Sequence, residues 1–269
     1  MSGVLGIVEV HPALAHLPEK SPLAGMARRR FGGKTLLEWV VRRVSDTDQL
    51  GGVVVLAGND PLSRSLVEHC PPDVHVFHAA ADDALGRFAA AVRHFQCRAA
   101  VRLNVVHPFV DPVLIDRLVL SVANGHGCDY ASYCFSDGRP VMQSKLGIFS
   151  EWCRGEAVLL ADRIARRPDE RNDAMRFLYS HPEIFALKLI EVPPRLDRDD
   201  LRLAIQDEED WEHVQLILDA LGPESLDWQY ITSLLDRQPL LRARMATRNR
   251  AEAERASSPA NSLQPAKFA

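Results

Sequence analysis

Residues 83–104 read DALGRFAAAVRHFQCRAAVRLN. Apolar residues recur at helical spacing in the first part of this stretch, which predicts a helix over residues 83–95. The second part holds a short apolar run over residues 100–103, which predicts a buried strand that ends at Asn104. A helix that leads directly into a buried strand is typical of parallel sheets. The stretch therefore predicts an α/β fold.

The same alternation of apolar runs and helical patterns extends in both directions from this stretch. Further strands are predicted over residues 4–10, 53–56, 74–77, 129–134, 146–149, 184–192 and 201–205. Further helices are predicted over residues 35–44, 61–69, 111–122, 157–166 and 172–179, and around Trp211. Such a series predicts a mostly parallel sheet with helices packed against it.

Composition sets the domain organisation. The 269 residues suffice for one large domain, which we place at residues 1–236. A helix-prone but polar stretch follows at residues 237–256 and predicts a helical extension. The end, residues 257–269, is rich in Ser, Pro, Asn and Gln and predicts a disordered tail. Residues 11–34 are rich in Pro and Gly and predict a long loop, a feature that is often functional.

Charge and cysteine usage limit the classes of function. The formal net charge of -4 argues against an electrostatic nucleic-acid binder and favours a small-molecule partner. The five cysteines are scattered, which is typical of reduced thiols in a cytosolic protein. We see neither a signal peptide nor an apolar run of membrane-spanning length. We therefore expect a cytoplasmic protein without a membrane partner.

Five short strings follow one another in a recognisable order. They are GGKTLLEWV at residues 32–40, DALGRF at 83–88, VRLN at 101–104 with Pro108 and Asp111-Pro112, DYA at 129–131, and DEEDW at 207–211. In order and spacing they resemble the cytidylyltransferases that activate acidic sugars, especially the branch of spore-coat polysaccharide synthesis. The resemblance extends from about Val4 to Leu235.

This resemblance implies a three-layer fold like that of the nucleotide-diphospho-sugar transferases. It also implies CTP and an acidic sugar as substrates and Mg²⁺ as the cofactor of an active enzyme. The sugar acid would attack the α-phosphorus of CTP and release pyrophosphate. Members of the family commonly dimerise through a segment that corresponds to residues 133–149, so a homodimer is expected.

The resemblance also assigns candidate site residues. Lys20 corresponds to the family's phosphate lysine and is the catalytic candidate, with a solvated loop lysine as the alternative. The nucleotide-binding candidates are Gly32, Gly33, Lys34, Arg87, Arg102 and Asn104. Each has a structural alternative: a solvated basic loop for residues 32–34, a surface helix position for Arg87, a salt bridge for Arg102 and a turn or helix cap for Asn104.

Several family motifs are changed in this chain. The family's Q-A-R pattern is replaced in this chain by Val8-Glu9-Val10-His11, and its R-E-H triad is replaced by Arg171-Asn172-Asp173. The family's acidic motif on the sugar side is replaced by residues 143–147. Val106 and Gln206 stand at two positions where the family has metal-binding aspartates, and valine offers Mg²⁺ no ligand. Two hypotheses follow: an active cytidylyltransferase with a rebuilt site, or a catalytically degenerate module that binds a nucleotide or a sugar. A glycosyltransferase ranks last, because Asn104 to Val106 lacks the Asp-x-Asp metal motif.

Overall fold

The structure is a computed structural model that describes residues 3–10, 29–123 and 127–257. The strands are β1 (Val4–Glu9), β2 (Arg30–Phe31), β3 (Lys34–Thr35), β4 (Val53–Gly58), β5 (His75–Ala79), β6 (Ala99–Asn104), β7 (Tyr130–Cys134), β8 (Glu151–Arg154) and β9 (Leu187–Glu191). The helices are α1 (Leu36–Ser45), α2 (Pro61–Val67), α3 (Ala84–Phe95), α4 (Pro112–Ala123), α5 (Gly155–Ile164), α6 (Pro168–Arg171), α7 (Arg176–Ser180), α8 (Glu208–Leu221), α9 (Trp228–Asp236) and α10 (Pro239–Ser257).

Seven strands form one sheet in the order β5-β4-β1-β6-β8-β7-β9. Strands β5, β4, β1 and β6 run parallel to one another, and β9 runs parallel to β7. Strand β8 runs antiparallel to both of its neighbours, β6 and β7. The predicted α/β architecture with a mostly parallel sheet is therefore confirmed. The two-stranded hairpin β2-β3 lies outside the main sheet.

Helices cover both faces of the sheet, as a three-layer fold requires. Consecutive residues of a strand point to opposite faces, and Ile7 and Val8 of β1 accordingly belong to two different hydrophobic clusters. The first cluster takes in apolar side chains of α1, α4, α8, α9 and α10, and the second those of α3, α5 and α7. Burial of these helices against the two faces supplies most of the stabilisation expected for such a domain.

Two predicted strands are wrong. Residues 146–149 and 201–205 form no regular strand, although most of them are buried. The two segments are extended and held by isolated hydrogen bonds, such as those from the amides of Leu203 and Ala204 to the Lys145 carbonyl at 2.9 and 3.0 Å. Strand β8 and helix α9 were not predicted. The sequence of β8, EWCR, begins and ends with a charged residue and gives no apolar run.

The carboxyl-terminal helix α10 lies against the domain. Met245 is fully buried, and Arg248 forms an ion pair with Asp210 of α8. The boundary between domain and extension at residue 236 stays a prediction. The tail predicted from residue 257 onward lies outside the described residues except for Ser257, which ends α10. Within the described ranges, every helix is too short or too polar to cross a membrane.

Candidate functional site

Two cavities open along the carboxyl edge of the parallel strands. The first, which we call the β6 cavity, has a volume of about 270 Å³, and the second, the β4 cavity, about 280 Å³. The β6 cavity is lined by Arg102, Leu103, Asn104, Val106, His107, Met142, Ser144, Lys145, Glu151, Asp173, Tyr179, Ala204, Ile205 and Gln206. The β4 cavity is lined by Val10, Gly58, Asn59, Asp60, Ser63, Ala79, Ala80, Ala81, Asp82 and Arg87. Ligands of open α/β sheets bind at this edge.

Arg102 forms the floor of the β6 cavity together with three carboxylates. Its Nε donates to Glu9 Oε2 at 2.5 Å, and its Nη1 donates to Glu151 Oε2 at 2.9 Å and to Asp173 Oδ2 at 3.0 Å. Strand register explains the convergence: Arg102 and Glu151 are paired across β6 and β8, and Glu9 ends the neighbouring strand on the same face. The structural alternative predicted for Arg102, a salt bridge instead of a phosphate contact, is therefore present.

Glu151 is the most deeply buried member of this group, with no exposed side-chain surface. Its Oε1 accepts a hydrogen bond from the hydroxyl of Tyr130 at 2.5 Å. Burial, together with the negative charge of Asp173, raises the pKa of Glu151 to about 7 against the opposing effect of Arg102. Burial and the neighbouring Glu151 raise the pKa of Tyr130 well above its usual range. At neutral pH Glu151 is thus partly protonated and the floor holds a titratable proton.

Asp173 is the carboxylate of this group that is open to the cavity, with 39% of its side chain exposed. Its Oδ1 accepts from the amides of Met175 at 2.9 Å and Arg176 at 3.0 Å, which fix it at the start of α7. Burial opposes its ionisation, but Arg102 and these amides outweigh burial and lower the pKa of Asp173. Asp173 is therefore ionised at neutral pH.

Lys145 also lines the β6 cavity, and we call its part of the lining the wall. Its Nζ lies 2.9 Å from Glu252 Oε1 of α10 and 3.4 Å from Gln206 Oε1. Burial opposes ionisation of Glu252, but hydrogen bonds from Lys145 and Arg202 outweigh it and lower the pKa of Glu252. The carboxyl-terminal helix thus contributes an ion-pair partner to Lys145, which lines the cavity.

A buried ion-pair cluster holds α10 and Gln206 in place. Asp210, which is fully buried, accepts from Arg202 Nε at 2.7 Å and from Arg248 Nη1 at 2.6 Å. It also accepts from the amide of Gln206 at 3.0 Å. One carboxylate therefore links the end of segment 201–206, helix α8 and helix α10.

Asn104 ends β6 and faces the β6 cavity, as the sequence predicts. Its side-chain Oδ1 accepts from the amide of Val106 at 3.1 Å, and its carbonyl accepts from the amide of His107 at 3.0 Å. The structural alternative, a turn cap, is therefore present, and it fixes the amide side chain in the lining of the cavity.

Arg87 lines the β4 cavity rather than the β6 cavity. Its Nη1 donates to the carbonyl of Asp82 at 2.7 Å, and Asp83 caps α3 by accepting from the amide of Gly86 at 2.8 Å. The structure thus places Arg87 and Asn104 at the same edge of the sheet but in two different cavities. Lys20 lies outside the described residues.

Gly32, Gly33 and Lys34 belong to the hairpin β2-β3 and line neither cavity. Both glycines have positive φ, 57° and 81°, as a two-residue type I′ hairpin turn requires. A side chain at Gly32 would also meet the ring of Trp39. Backbone geometry accounts for both glycines.

Five residues were not predicted as site residues. Lys145, Glu151 and Asp173 line the β6 cavity, and Glu9 and Glu252 form ion pairs with residues that line it. Glu9, Lys145 and Asp173 lie in strings that depart from the family pattern, and Glu9 is a charge at the end of an apolar strand, which is a signal for a buried partner. Glu151 and Glu252 give no such signal, because their partners are distant in sequence.

Among the described residues that line the β6 cavity, the oxygen donors do not fit a magnesium site held by the chain. The three floor carboxylates surround Arg102, and Asp207 caps α8 while it pairs with Arg248. Val106 supplies no side-chain donor. Among the described residues, no group of three His, Cys, Asp or Glu is arranged to hold a metal ion.

Comparison with known proteins gives consistent matches. The model of a family described as cytidylyltransferase matches residues 23–227. The spore coat polysaccharide biosynthesis protein SpsF of Bacillus subtilis is 26% identical over 251 residues, which cover 89% of this chain and 96% of that protein. An uncharacterized protein of Methanocaldococcus jannaschii is 23% identical over 240 residues, which cover 89% of this chain and 93% of that protein.

Solved structures share the fold. A cytidylyltransferase from Leptospira borgpetersenii superposes with a TM-score of 0.74 at 21% identity over 90% of this chain and 97% of that chain. CMP:2-keto-3-deoxy-manno-octonic acid synthetase in complex with CTP superposes with a TM-score of 0.59 at 10% identity. The superposition covers 81% of this chain and 98% of that chain. The expected nucleotide-diphospho-sugar transferase-like fold is confirmed by these likenesses.

Proposed function

Because this chain belongs to the cytidylyltransferase family, we propose that it transfers a cytidylyl group from CTP to an acidic sugar during the synthesis of a surface polysaccharide. The observation that carries the proposal is the pair of cavities at the carboxyl edge of the sheet, which offers a place for each of two substrates. Two further facts support it: the similarity to the spore-coat protein, and the likeness to a synthetase that binds CTP.

The proposal assigns the nucleotide to the β4 cavity and the sugar to the β6 cavity. Residues 79–82 and Arg87 line the β4 cavity, and their backbone amides and guanidinium group would suit a base and phosphate oxygens. Polar side chains dominate the β6 cavity and suit a sugar with many hydroxyl groups. Asn104 would contact the reacting groups from its position at the end of β6.

The remaining candidates take different roles in this proposal. Arg102 is a positioning residue in this proposal, because its Nε and Nη1 donate to the carboxylates of Glu9 and Glu151. Phosphate contacts by Lys20 and by Gly32, Gly33 and Lys34 remain proposals.

In the reaction, a hydroxyl oxygen of the sugar forms a bond to the α-phosphorus of CTP, and the bond to pyrophosphate breaks. The hydroxyl proton passes to solvent. The chain lowers the barrier by holding both substrates in line and by placing positive charge near the phosphoryl oxygens. Because the donor set does not fit a protein-held Mg²⁺, no step is assigned to such an ion.

Pyrophosphate release tests the proposal directly. The full chain is incubated with CTP, Mg²⁺ and a panel of sugar acids, with ATP, GTP and UTP as matched controls. We expect release with CTP and at least one sugar acid. Absence of release with every acceptor at millimolar Mg²⁺ contradicts the proposal.

A second candidate function is a catalytically degenerate module that binds CTP or a sugar. Val106 and Gln206 in the β6 cavity favour it, because neither can supply a carboxylate ligand. Calorimetry separates the two: CTP binding that is unchanged by removal of Mg²⁺ favours the degenerate module, and strictly Mg²⁺-dependent binding favours the enzyme.

A further inference from the structure

The two sides of the β6 cavity differ in charge. The floor holds one guanidinium, that of Arg102, among three carboxylates, and it carries net negative charge even when Glu151 is protonated. Among the described lining residues, Lys145 is the other side chain with a permanent positive charge, and it lies on the wall. An anionic group that enters the cavity is therefore repelled by the floor and attracted to the wall.

The position of Lys145 is fixed at both ends. Its carbonyl accepts from the amides of Leu203 and Ala204, so the backbone is clamped to segment 201–205. Its Nζ is held by Glu252 and Gln206 at 2.9 and 3.4 Å. The Lys145 side chain is 29% exposed and lines the β6 cavity. A charge held in this way loses little conformational entropy on binding a ligand.

From these observations we infer that Lys145 binds the anionic group of the acceptor, with Gln206 beside it, and that Glu252 of α10 is the positioning residue for Lys145. The acceptor carboxylate contacts the Lys145 wall, and its hydroxyl groups face Asp173 and Tyr179 on the floor. This inference rests on the proposed function, because it takes the β6 cavity as the sugar site. It makes the carboxyl-terminal helix part of acceptor selection.

Substitution of Lys145 tests the charge contact. We expect Lys145→Gln to lower kcat/KM for a sugar acid about 10- to 100-fold through KM, because a hydrogen bond between charged groups is lost. The uncharged primary amide of the same sugar should lose less than threefold, and KM for CTP should change less than twofold. Lys145→Arg should restore part of the affinity. Lys188→Gln, on an exposed lysine of β9, is the matched control and should leave all constants unchanged.

Two outcomes overturn the inference. One is a rise in KM for CTP rather than for the sugar acid, which would place a phosphate at Lys145. The other is an equal loss for the acid and its amide, which would show that the lysine charge does not contact the acceptor.

Substitution of Glu252 tests the positioning role. We expect Glu252→Gln to raise KM for the sugar acid about 3- to 10-fold at unchanged kcat, with no effect on its amide. The matched control is Glu254→Gln, an exposed position on the same helix, which should behave as the wild type. An unchanged KM in Glu252→Gln contradicts the positioning role.

Equilibrium binding distinguishes failure of this inference from failure of the proposed function. Calorimetry with the sugar acids alone should show binding to the wild type that Lys145→Gln weakens about tenfold. Lys145-dependent binding without pyrophosphate release supports the inference and contradicts the transferase. Binding that is independent of Lys145, or no binding to the wild type, overturns the inference.

Discussion

Arg102 and Glu151 face each other across two antiparallel strands, with Arg102 Nη1 at 2.9 Å from Glu151 Oε2. The two residues are 49 positions apart in the sequence. Because β8 runs antiparallel to β6, its first residue, Glu151, reaches the edge at which the parallel strands end. The floor of the β6 cavity is therefore built by strand register, and its properties can be tested by substitution.

Loss of Arg102 should destabilise the chain strongly. Arg102→Met leaves Glu9 and Glu151 buried without their cationic partner, which costs about 3–5 kcal/mol of unfolding free energy. Urea denaturation measures the effect. Arg64→Met, an exposed position on α2, is the matched control and should stay within about 0.5 kcal/mol of the wild type. A loss below about 1 kcal/mol for Arg102→Met would show that the floor carboxylates do not depend on it.

Glu151 should make stability fall as pH rises. Its pKa is about 7 in the folded chain and about 4.3 in an unfolded chain, so the folded state binds more protons between these values. Stability from this group is present below about pH 4.3 and is lost as pH rises through 7. The Glu151→Gln variant lacks this titrating group. Its free energy of unfolding, taken relative to that of the wild type at the same pH, should therefore rise by about 1–3 kcal/mol from pH 5 to pH 8.

Urea midpoints of both proteins at pH 5, 6, 7 and 8 give the measurement for Glu151. The difference between them cancels other groups, such as His213, whose pKa is lowered by burial. A difference that stays constant over this range contradicts a raised pKa of Glu151.

The glycines of the β2-β3 turn should tolerate substitution differently. Gly33 has a φ of 81°, and a Cβ at this position would meet no other atom within 4 Å. Gly33→Ala should therefore lower the free energy of unfolding by about 1 kcal/mol through backbone strain alone. At Gly32 alanine should cost more, because its Cβ would lie 2.6 Å from Cζ3 of Trp39. Thermal unfolding ranks the two. Gly33→Asn, which tolerates the left-handed conformation, should be milder than Gly33→Ala, and the reverse order would exclude strain as the cause.

Asp210 should be essential for the attachment of α10. Asp210→Asn removes the charge that Arg202 and Arg248 share, and we expect a loss of about 3 kcal/mol. Asp219→Asn, an exposed position on the same helix, is the control and should change stability little. Unfolding by urea measures both, and equal effects of the two substitutions would contradict a special role for the buried cluster.

Arg87 should contribute to CTP binding alone. Arg87→Gln should weaken CTP binding about tenfold in calorimetry, because a charged hydrogen bond to phosphate is replaced by a neutral one. KM for the acceptor should stay the same, since Arg87 lines the β4 cavity and not the β6 cavity. If Arg87→Gln changed the KM for the acceptor and not CTP binding, the β4 cavity would be the sugar site and the β6 cavity the nucleotide site.

The sequence predicted the centre of the parallel sheet because β1, β4 and β6 are mostly buried and are rich in apolar residues. Strand β8 gives no such run, since Glu151 at its start contacts Arg102 and Arg154 at its end pairs with Asp129. Residues 201–205 are apolar except for Arg202 and are buried, but they form no strand, because burial alone does not supply a neighbouring strand to pair with. The spacing of apolar residues indicates which side chains are buried. It does not indicate which strands pair, because the pairing strands are far apart in the sequence.

The candidate site was predictable where it depends on strand ends and less so elsewhere. Asn104 follows from the end of an apolar run, and it lies at the carboxyl edge as expected. Lys145 and Glu252 are 107 residues apart, and their contact depends on how α10 packs. Such contacts arise from tertiary packing and leave no local pattern.

The carboxyl-terminal helix has a practical consequence for recombinant work. Glu252 contacts Lys145, which lines the β6 cavity, and α10 ends five residues later at Ser257, about 8 Å along the helix axis. A fluorescent protein that replaces the residues after Ser257 would therefore start within about two helical turns of the Lys145 contact and could compete with whatever enters the cavity. Strand β1 begins at the opposite edge of the sheet, so a purification handle placed before it starts farther from the cavity.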